Sequence, residues 1–563
     1  MTSPSAAGEA SAAATGRDSA TWLASCSAFA VALLLLAAML STLFEKNLVN
    51  TLTQQGWTRE LYAISAAVTK MRFGIGGSAV DRRIFTALVV AGLAQNPVPE
   101  LNVQFPDNLR DVKLLQSVLQ RAQTVDLPPP APGDAHGEYI DLIGFSGEDT
   151  GLGTYTYLAF QLFGVNIPAL TYLYFVIVTI SLLLYGIGHW RSVGAMAAVV
   201  AVTLALYVVV CADIVNFLGS SALFSSAPGI DVKDPRFLGT IAAIPLLHVI
   251  VIWTRPRYRL GPLDYVVVAM QAAIFAFALQ IRSPVVWAVL ALSAFWLTIG
   301  ALALRRGRSL RLLCDWRQSR SAPMPITVLA VLFSAQLLAA VTLHPLYRAQ
   351  GDVPRHMFWQ GLLSSLQLNP EWSVKYLPSM DNYTNDMMPE EIARVAIMKL
   401  PSEERQQYLR GDGWPRRTAL EKFTRLAFID FLRSDPKFVA HTFFIDKPAY
   451  AWEAEQQFFG GLFTGLPVWN ALVPAAAVLF LVVLLACNAE APGTLLPTVG
   501  VILLFIVVSL LPNWLVLPTA LVMIDSFVWI VVFLVLLLVI AATTAIRYAS
   551  GAKRPSAMVS LRR

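Results

Sequence analysis

Apolar residues in this chain gather into ten runs, and most of the polar residues between them gather into two inserts of over a hundred residues each. Runs such as AFAVALLLLAAMLSTLF (28–44) and FVWIVVFLVLLLVIAATTAI (527–546) approach the roughly 20 apolar residues that carry a helix across a bilayer. A water-soluble domain could not bury ten of them. The pattern predicts an all-α polytopic membrane protein with spans near 22–44, 168–187, 192–211, 237–253, 263–281, 284–304, 325–344, 468–487, 494–511 and 519–546.

The polar stretches have patterns of their own. The first insert opens with FEKNLVNTLTQQGWTRELYAISAAVTKMRF and RRIFTALVVAGLAQ, helix-like in spacing but too mixed to span. Trp57, Tyr62 and Phe73 suit a helix lying at the headgroup level. LPPPAPGDAHG (127–137) breaks regular structure, and an acidic loop then leads into a short apolar helix (YLAFQLFG), a turn, and the second span near Pro168. The second insert reads as a small α-rich domain: MPEEIARVAIMKL and TALEKFTRLAFIDFLRSDPKFVAHTFFI place apolar residues every three or four positions. No internal repeat, heptad array or strand-rich region is evident.

Composition agrees, with 56% hydrophobic and 14% charged residues and a mean hydropathy of +0.59. The net charge of +6 changes the picture only through its distribution. Arg255, Arg257 and Arg259, then Arg305, Arg306, Arg308, Arg311, Arg317 and Arg320, and finally Arg547, Lys553, Arg554, Arg562 and Arg563 fall on one face of a ten-span chain. The positive-inside rule makes that face cytoplasmic, so both inserts are expected outside and a nucleic-acid partner is not implied. The expected division is a disordered cytoplasmic tail (1–21), a first span (22–44), an external loop (45–167) and six spans (168–344). An external α-rich insert (345–467), three spans (468–546) and a basic cytoplasmic tail (547–563) follow. Cys26, Cys211 and Cys487 sit in or at the ends of spans and Cys314 in the basic loop, so neither insert has a disulfide or Cys-based metal site.

The densest external acidic cluster is Glu138, Asp141, Glu148 and Asp149. Glycines flank the Glu148–Asp149 pair, which lets the backbone bend sharply there. Such a pair at the lipid surface suits a general base toward a hydroxyl, or oxygen ligands for a divalent cation; the competing reading is a solvated acidic turn. Arg348, Arg355, His356 and Trp359 follow the seventh span closely, where a lipid-borne phosphate needs a cation and a carbohydrate a stacking surface; an ordinary interfacial belt uses the same residues. Within spans, Asp213, Arg282 and Asp525 lie near one end and His248 near the other, an arrangement that argues against an ion path through the midplane. No Walker loop, GxSxG elbow or HExxH helix occurs.

The segment GEDTGLGTYTYLAFQLFGVNIPALTYLYFVIVTISLLLYG (147–186) resembles the region of lipid-linked sugar transferases where a short helix and an "LFG" turn lead into the second span. With the overall layout, it makes the chain similar to the GT-C class of integral membrane glycosyltransferases. That resemblance implies an inverting sugar transferase of a bacterial inner membrane, with a polyprenyl-phosphate-linked sugar donor and an envelope glycan, lipid or protein acceptor. Asp149 or Glu148 would deprotonate the acceptor; Arg355, Arg348 or a bound cation would neutralise the departing phosphate; His356, Trp359, Asp141 and Glu138 would line the site. The chain departs from the class directly after its first span, where it offers only Glu45 in LFEKN, so the motif sits at the far end of the loop. Two other classes fit the same layout: a flippase or transporter for lipid-linked glycans, and a non-catalytic scaffold of polysaccharide assembly.

Overall fold

The computed structural model describes residues 5–50, 57–76, 79–81, 83–85, 88, 119–122, 124, 140–142, 150–211, 232–254, 261–282, 285–305, 323–342, 358–372, 387–409, 413, 415–449, 452, 468–487, 495–515 and 524–550. Those residues are predominantly helical. Among the described residues, five helices are long and apolar enough to cross a membrane: Thr21–Glu45, Pro168–His189, Val193–Cys211, Pro262–Ile281 and Ser526–Ala549. Shorter apolar helices join them, among them Gly239–Thr254, Ala471–Cys487 and Leu496–Leu510.

Helix α1 (Ser5–Glu45) starts well before the apolar run, where disorder is expected; SAAGEASAAA is rich in alanine, the strongest helix former. The first insert contributes α2 (Trp57–Phe73) and a two-stranded antiparallel ribbon of β1 (Ala79–Asp81) and β2 (Ile140–Leu142), with Val80 opposite Asp141. Next come α3 (Thr150–Phe163), α4 (Pro168–His189) and α5 (Val193–Cys211). A helical turn (Pro235–Leu238) and a 3-10 turn (Gly239–Ala242) then precede α6 (Ala243–Thr254). Pro245, without an N–H, leaves the carbonyl four residues earlier without its helical donor, which accounts for the tighter turn where one continuous span is expected.

Helices α7 (Pro262–Ile281), α8 (Val286–Arg305) and α9 (Pro323–Thr342) complete the first apolar block. The second insert holds α10 (Phe358–Ser365), α11 (Met387–Met398), α12 (Ser402–Tyr408), α13 (Arg417–Ser434), α14 (Pro436–His441) and a π-helical turn (Thr442–Asp446). The chain closes with α15 (Val468–Cys487), α16 (Leu496–Leu515) and α17 (Ile524–Ala549).

The apolar helices form one bundle around α5. Nearly every residue of α5 is buried, against α1, α6, α15 and α17. Gly194, Ala195, Ala197, Ala198, Ala201 and Ala205 keep its surface low, which lets neighbouring backbones approach. Helix α4 is peripheral: Val176, Ile180, Leu183 and Ile187 form an exposed stripe of the kind that faces lipid. On its inner face Ser181 donates to the Gln271 side chain at 2.7 Å, and that amide donates back to the Ser181 carbonyl at 2.7 Å, joining α4 to α7.

Side-chain contacts fix which helix ends share a side. At one, the insert end, Lys46 Nζ donates to the Cys211 carbonyl at 3.4 Å and Tyr174 meets Thr240 at 2.9 Å. At the other, the arginine end, Thr254 meets Thr498 at 3.0 Å and Arg547 Nη2 donates to the Leu485 carbonyl at 2.6 Å. Tyr185, His189 and His248 form a buried aromatic group toward that arginine end, with the two imidazole centroids 4.7 Å apart. The helical insert has separate apolar cores, one around Leu363, Trp372, Phe428 and Phe443 and another around Ile397, Leu420 and Phe423.

Candidate functional site

Helix α3 begins at Thr150, so the acidic pair immediately precedes a helix rather than a further stretch of loop. Its first turn is locked to the bundle by Gly151: a Cβ there would lie 2.4 Å from the Gln280 carbonyl carbon and 2.6 Å from the Ile281 nitrogen. Only a glycine permits that approach. The far end of α3 is set by Gly164, whose φ of +81° ends the helix, and by Asn166, whose side-chain oxygen accepts from the Ala169 N–H at 2.9 Å to open α4. The Tyr155 hydroxyl ties the two helices by donating to the Leu170 carbonyl. The expected order of short helix, LFG turn and second span is present.

Arg282 follows Ile281 directly and is buried, its carbonyl accepting from the Val285 N–H at 3.1 Å. Beside Val285 and the start of α8 lies a small cavity of about 40 Å³, whose lining includes Thr240, Trp287, Ser509, Ser526 and Trp529. The insert end also buries Lys233, which donates to the Leu48 carbonyl, and Asp234 beside it. Arg282 and Lys233 thus put two buried cations at the insert end of the bundle, where charge out of water suits an anionic group.

The first insert supports this end from outside the bundle. Helix α2 is more buried than an expected headgroup-level helix: Leu61, Ile64, Ala67 and Val68 join the main core. Lys70 sits with Nζ 4.3 Å from the Tyr157 ring centroid, and burial lowers the pKa of its ammonium. Fully buried Asp81 accepts from Arg83 Nη2 at 2.7 Å, Arg83 Nε at 3.1 Å and the Arg83 backbone N–H at 2.8 Å. Its own N–H donates to Thr69 at 3.0 Å, which fixes β1 on α2.

In the second insert, α10 and α13 form a groove lined by Trp359, Thr418, Glu421, Lys422, Arg425, Leu426 and Ile429, with a volume of about 480 Å³. Glu421 accepts from the backbone N–H groups of Trp359 at 2.9 Å and Gln360 at 3.3 Å, satisfying the first turn of α10. The Arg425 guanidinium lies 5.7 Å from the Trp359 ring centroid. Behind the groove, Lys447 is 2% exposed. Its Nζ donates to Ser365 Oγ at 2.8 Å and stands 4.8 Å from the Phe443 ring, and burial pushes its pKa down to about 7. Ser365 is itself fully buried and donates to the Gly361 carbonyl, so the pair belongs to the insert's interior.

Of the site residues expected from sequence, Glu138, Glu148, Asp149, Arg348, Arg355 and His356 lie outside the described residues. Asp141 falls in β2, within a paired strand rather than a loop. Trp359 lies in the first turn of α10 and lines the groove. Sequence reasoning missed Glu60, a buried carboxylate in the first turn of α2, and with it a second acid in the stretch after the first span. It also missed Arg425 and Lys447, for which a mixed charged helix face gives no local signal. Compared with known protein families, curated proteins and solved structures, the chain matches none.

Proposed function

We propose that this protein is an integral membrane glycosyltransferase. It moves a sugar from a polyprenyl-phosphate donor to an envelope glycan, lipid or protein acceptor at the extracytoplasmic surface. In this reading α1, α4–α9 and α15–α17 are the ten spans. The insert end is extracytoplasmic and the arginine end cytoplasmic, following the sorting of basic residues.

The observation that carries the reading is Gly151 seated on Gln280–Ile281. It anchors to the bundle's insert end the helix that the acidic pair directly precedes in sequence, and Arg282 follows Ile281 at that same end. Asp149 or Glu148 takes the acceptor proton while a cation at that end, Arg282 foremost, meets the phosphate on which negative charge grows as the glycosidic bond breaks. A base and a counter-charge held on one preorganised end, at the height where a lipid-linked sugar emerges, is the arrangement this transfer requires.

The test is transfer of radiolabelled sugar from a polyprenyl-phosphate donor in membrane vesicles. Asp149→Asn should lower the rate by about 10²–10⁴-fold at unchanged protein level, and Glu148→Gln less if that residue only positions the acceptor or a cation. Glu60→Gln, made in parallel, tells whether the buried acid of α2 is the base instead. Full glycan output from the Glu148→Gln, Asp149→Asn double variant would sink the carboxylate mechanism and leave a glycan transporter or an assembly scaffold as the better reading.

A further inference from the structure

The groove between α10 and α13 has a chemistry separate from the bundle's insert end. Two cations, Lys422 and Arg425, lie three residues apart on the exposed face of α13, against a single acid, Glu421. That acid is committed: each carboxylate oxygen accepts a backbone N–H from α10, so its charge is offset by the helix start it caps. Lys422 donates to the Tyr408 hydroxyl at 3.0 Å, which leaves it further donors. Among the described residues, Arg425 takes part in no hydrogen bond or ion pair, and it lies over the Trp359 ring. A guanidinium stacked near an indole still offers edge donors in a fork that matches a carboxylate or phosphate.

The rest of the lining narrows the ligand. Thr418, one turn before Lys422, brings a hydroxyl, while Trp359, Leu426 and Ile429 bring apolar surface. Hydroxyl, flat apolar surface and a bidentate cation together fit a sugar ring that carries an anion better than a lipid tail or a bare ion. A volume near 480 Å³ accommodates more than one sugar unit. We propose that this groove binds an acidic glycan, with Arg425 gripping the carboxylate or phosphate of one sugar residue, Lys422 adding charge and Trp359 supplying the wall. The choice of a glycan as bearer of the anion rests on the transferase reading above; the anion site rests on the groove alone.

Binding is measured by calorimetry on the full chain in lipid nanodiscs, with trigalacturonic acid, maltotriose and inorganic phosphate as separate probes. Trigalacturonic acid should bind, and maltotriose and phosphate at least about tenfold more weakly. Arg425→Gln should weaken the acidic trisaccharide about tenfold or more, since a charge-assisted pair is lost, and Lys422→Gln severalfold. Arg433→Gln, an equal charge loss on the same exposed helix but outside the groove, should change nothing. The Glu148→Gln, Asp149→Asn double variant should bind as the native chain does, so failure of transfer and failure of this site are read apart. No binding of the acidic trisaccharide, or equal binding by Arg425→Gln, overturns the site. Equal affinity for maltotriose removes the anion, and equal affinity for phosphate removes the sugar.

Discussion

Gly151 and Gln280, 129 positions apart in sequence, meet so closely that a Cβ on the first would stand 2.4 Å from the carbonyl carbon of the second. Backbone on both sides leaves no side chain to swing away. Gly151→Ala should therefore push α3 off the end of α7, costing about 1–3 kcal/mol as overpacking does and lowering transfer. Gly500→Ala is the matched control, because nothing lies within 4 Å of its would-be Cβ. Thermal unfolding of the purified protein checks both; an unchanged midpoint for Gly151→Ala would refute the close approach.

Asp81 is the keystone of the ribbon on α2. Its carboxylate is fully buried and takes three donors from Arg83. Asp81→Ala removes those bonds from a guanidinium that is partly exposed and should cost about 1–3 kcal/mol. Hydrogen exchange at Ala79–Asp81 and Ile140–Leu142 should rise selectively, with the bundle helices unaffected.

Lys447 gives the helical insert a pH dependence of unusual sign. Its folded pKa is lowered to about 7 by burial, against 10.5 for an ordinary lysine. Between those values the unfolded chain holds a proton that the folded chain does not. Folding is therefore favoured as pH rises, by up to about 1.4 kcal/mol per pH unit, and the penalty is complete and constant below pH 7. Lys447→Met should stabilise the insert at neutral pH and flatten this dependence. Hydrogen exchange across α10, α13 and the π-helical turn from pH 6.5 to 9 reads both.

The orientation of the bundle is testable with two exposed positions. In a cysteine-free background, Ser402→Cys in the helical insert should react with an impermeant thiol reagent once an outer membrane is permeabilised. Tyr548→Cys, at the arginine end, should react only after the inner membrane is lysed. The opposite pattern would place the acidic loop on the cytoplasmic side and remove the proposed donor from its reach.

Much of this architecture is decided locally. A run such as 527–546 is helical and membrane-seeking whatever surrounds it, because both properties sum over its own residues. The LFG turn is equally local: Gly164 supplies the positive φ and Asn166 and Pro168 start the next helix within a few positions. Arginine sorting and the acidic pair at 148–149 are likewise visible in one dimension. What hydropathy cannot rank is which apolar helix is central: α4 and α5 read alike, yet α5 is enclosed while α4 keeps a bare stripe, since lipid and protein are equally apolar neighbours. Nor can a window see across distance. Glu421 caps a helix through Trp359, 62 residues earlier, Arg425 lies over Trp359, and Lys447 is buried by Ser365 and Phe443 rather than left in water as its type predicts. Those positions depend on helices meeting in space, so only tertiary structure decides them.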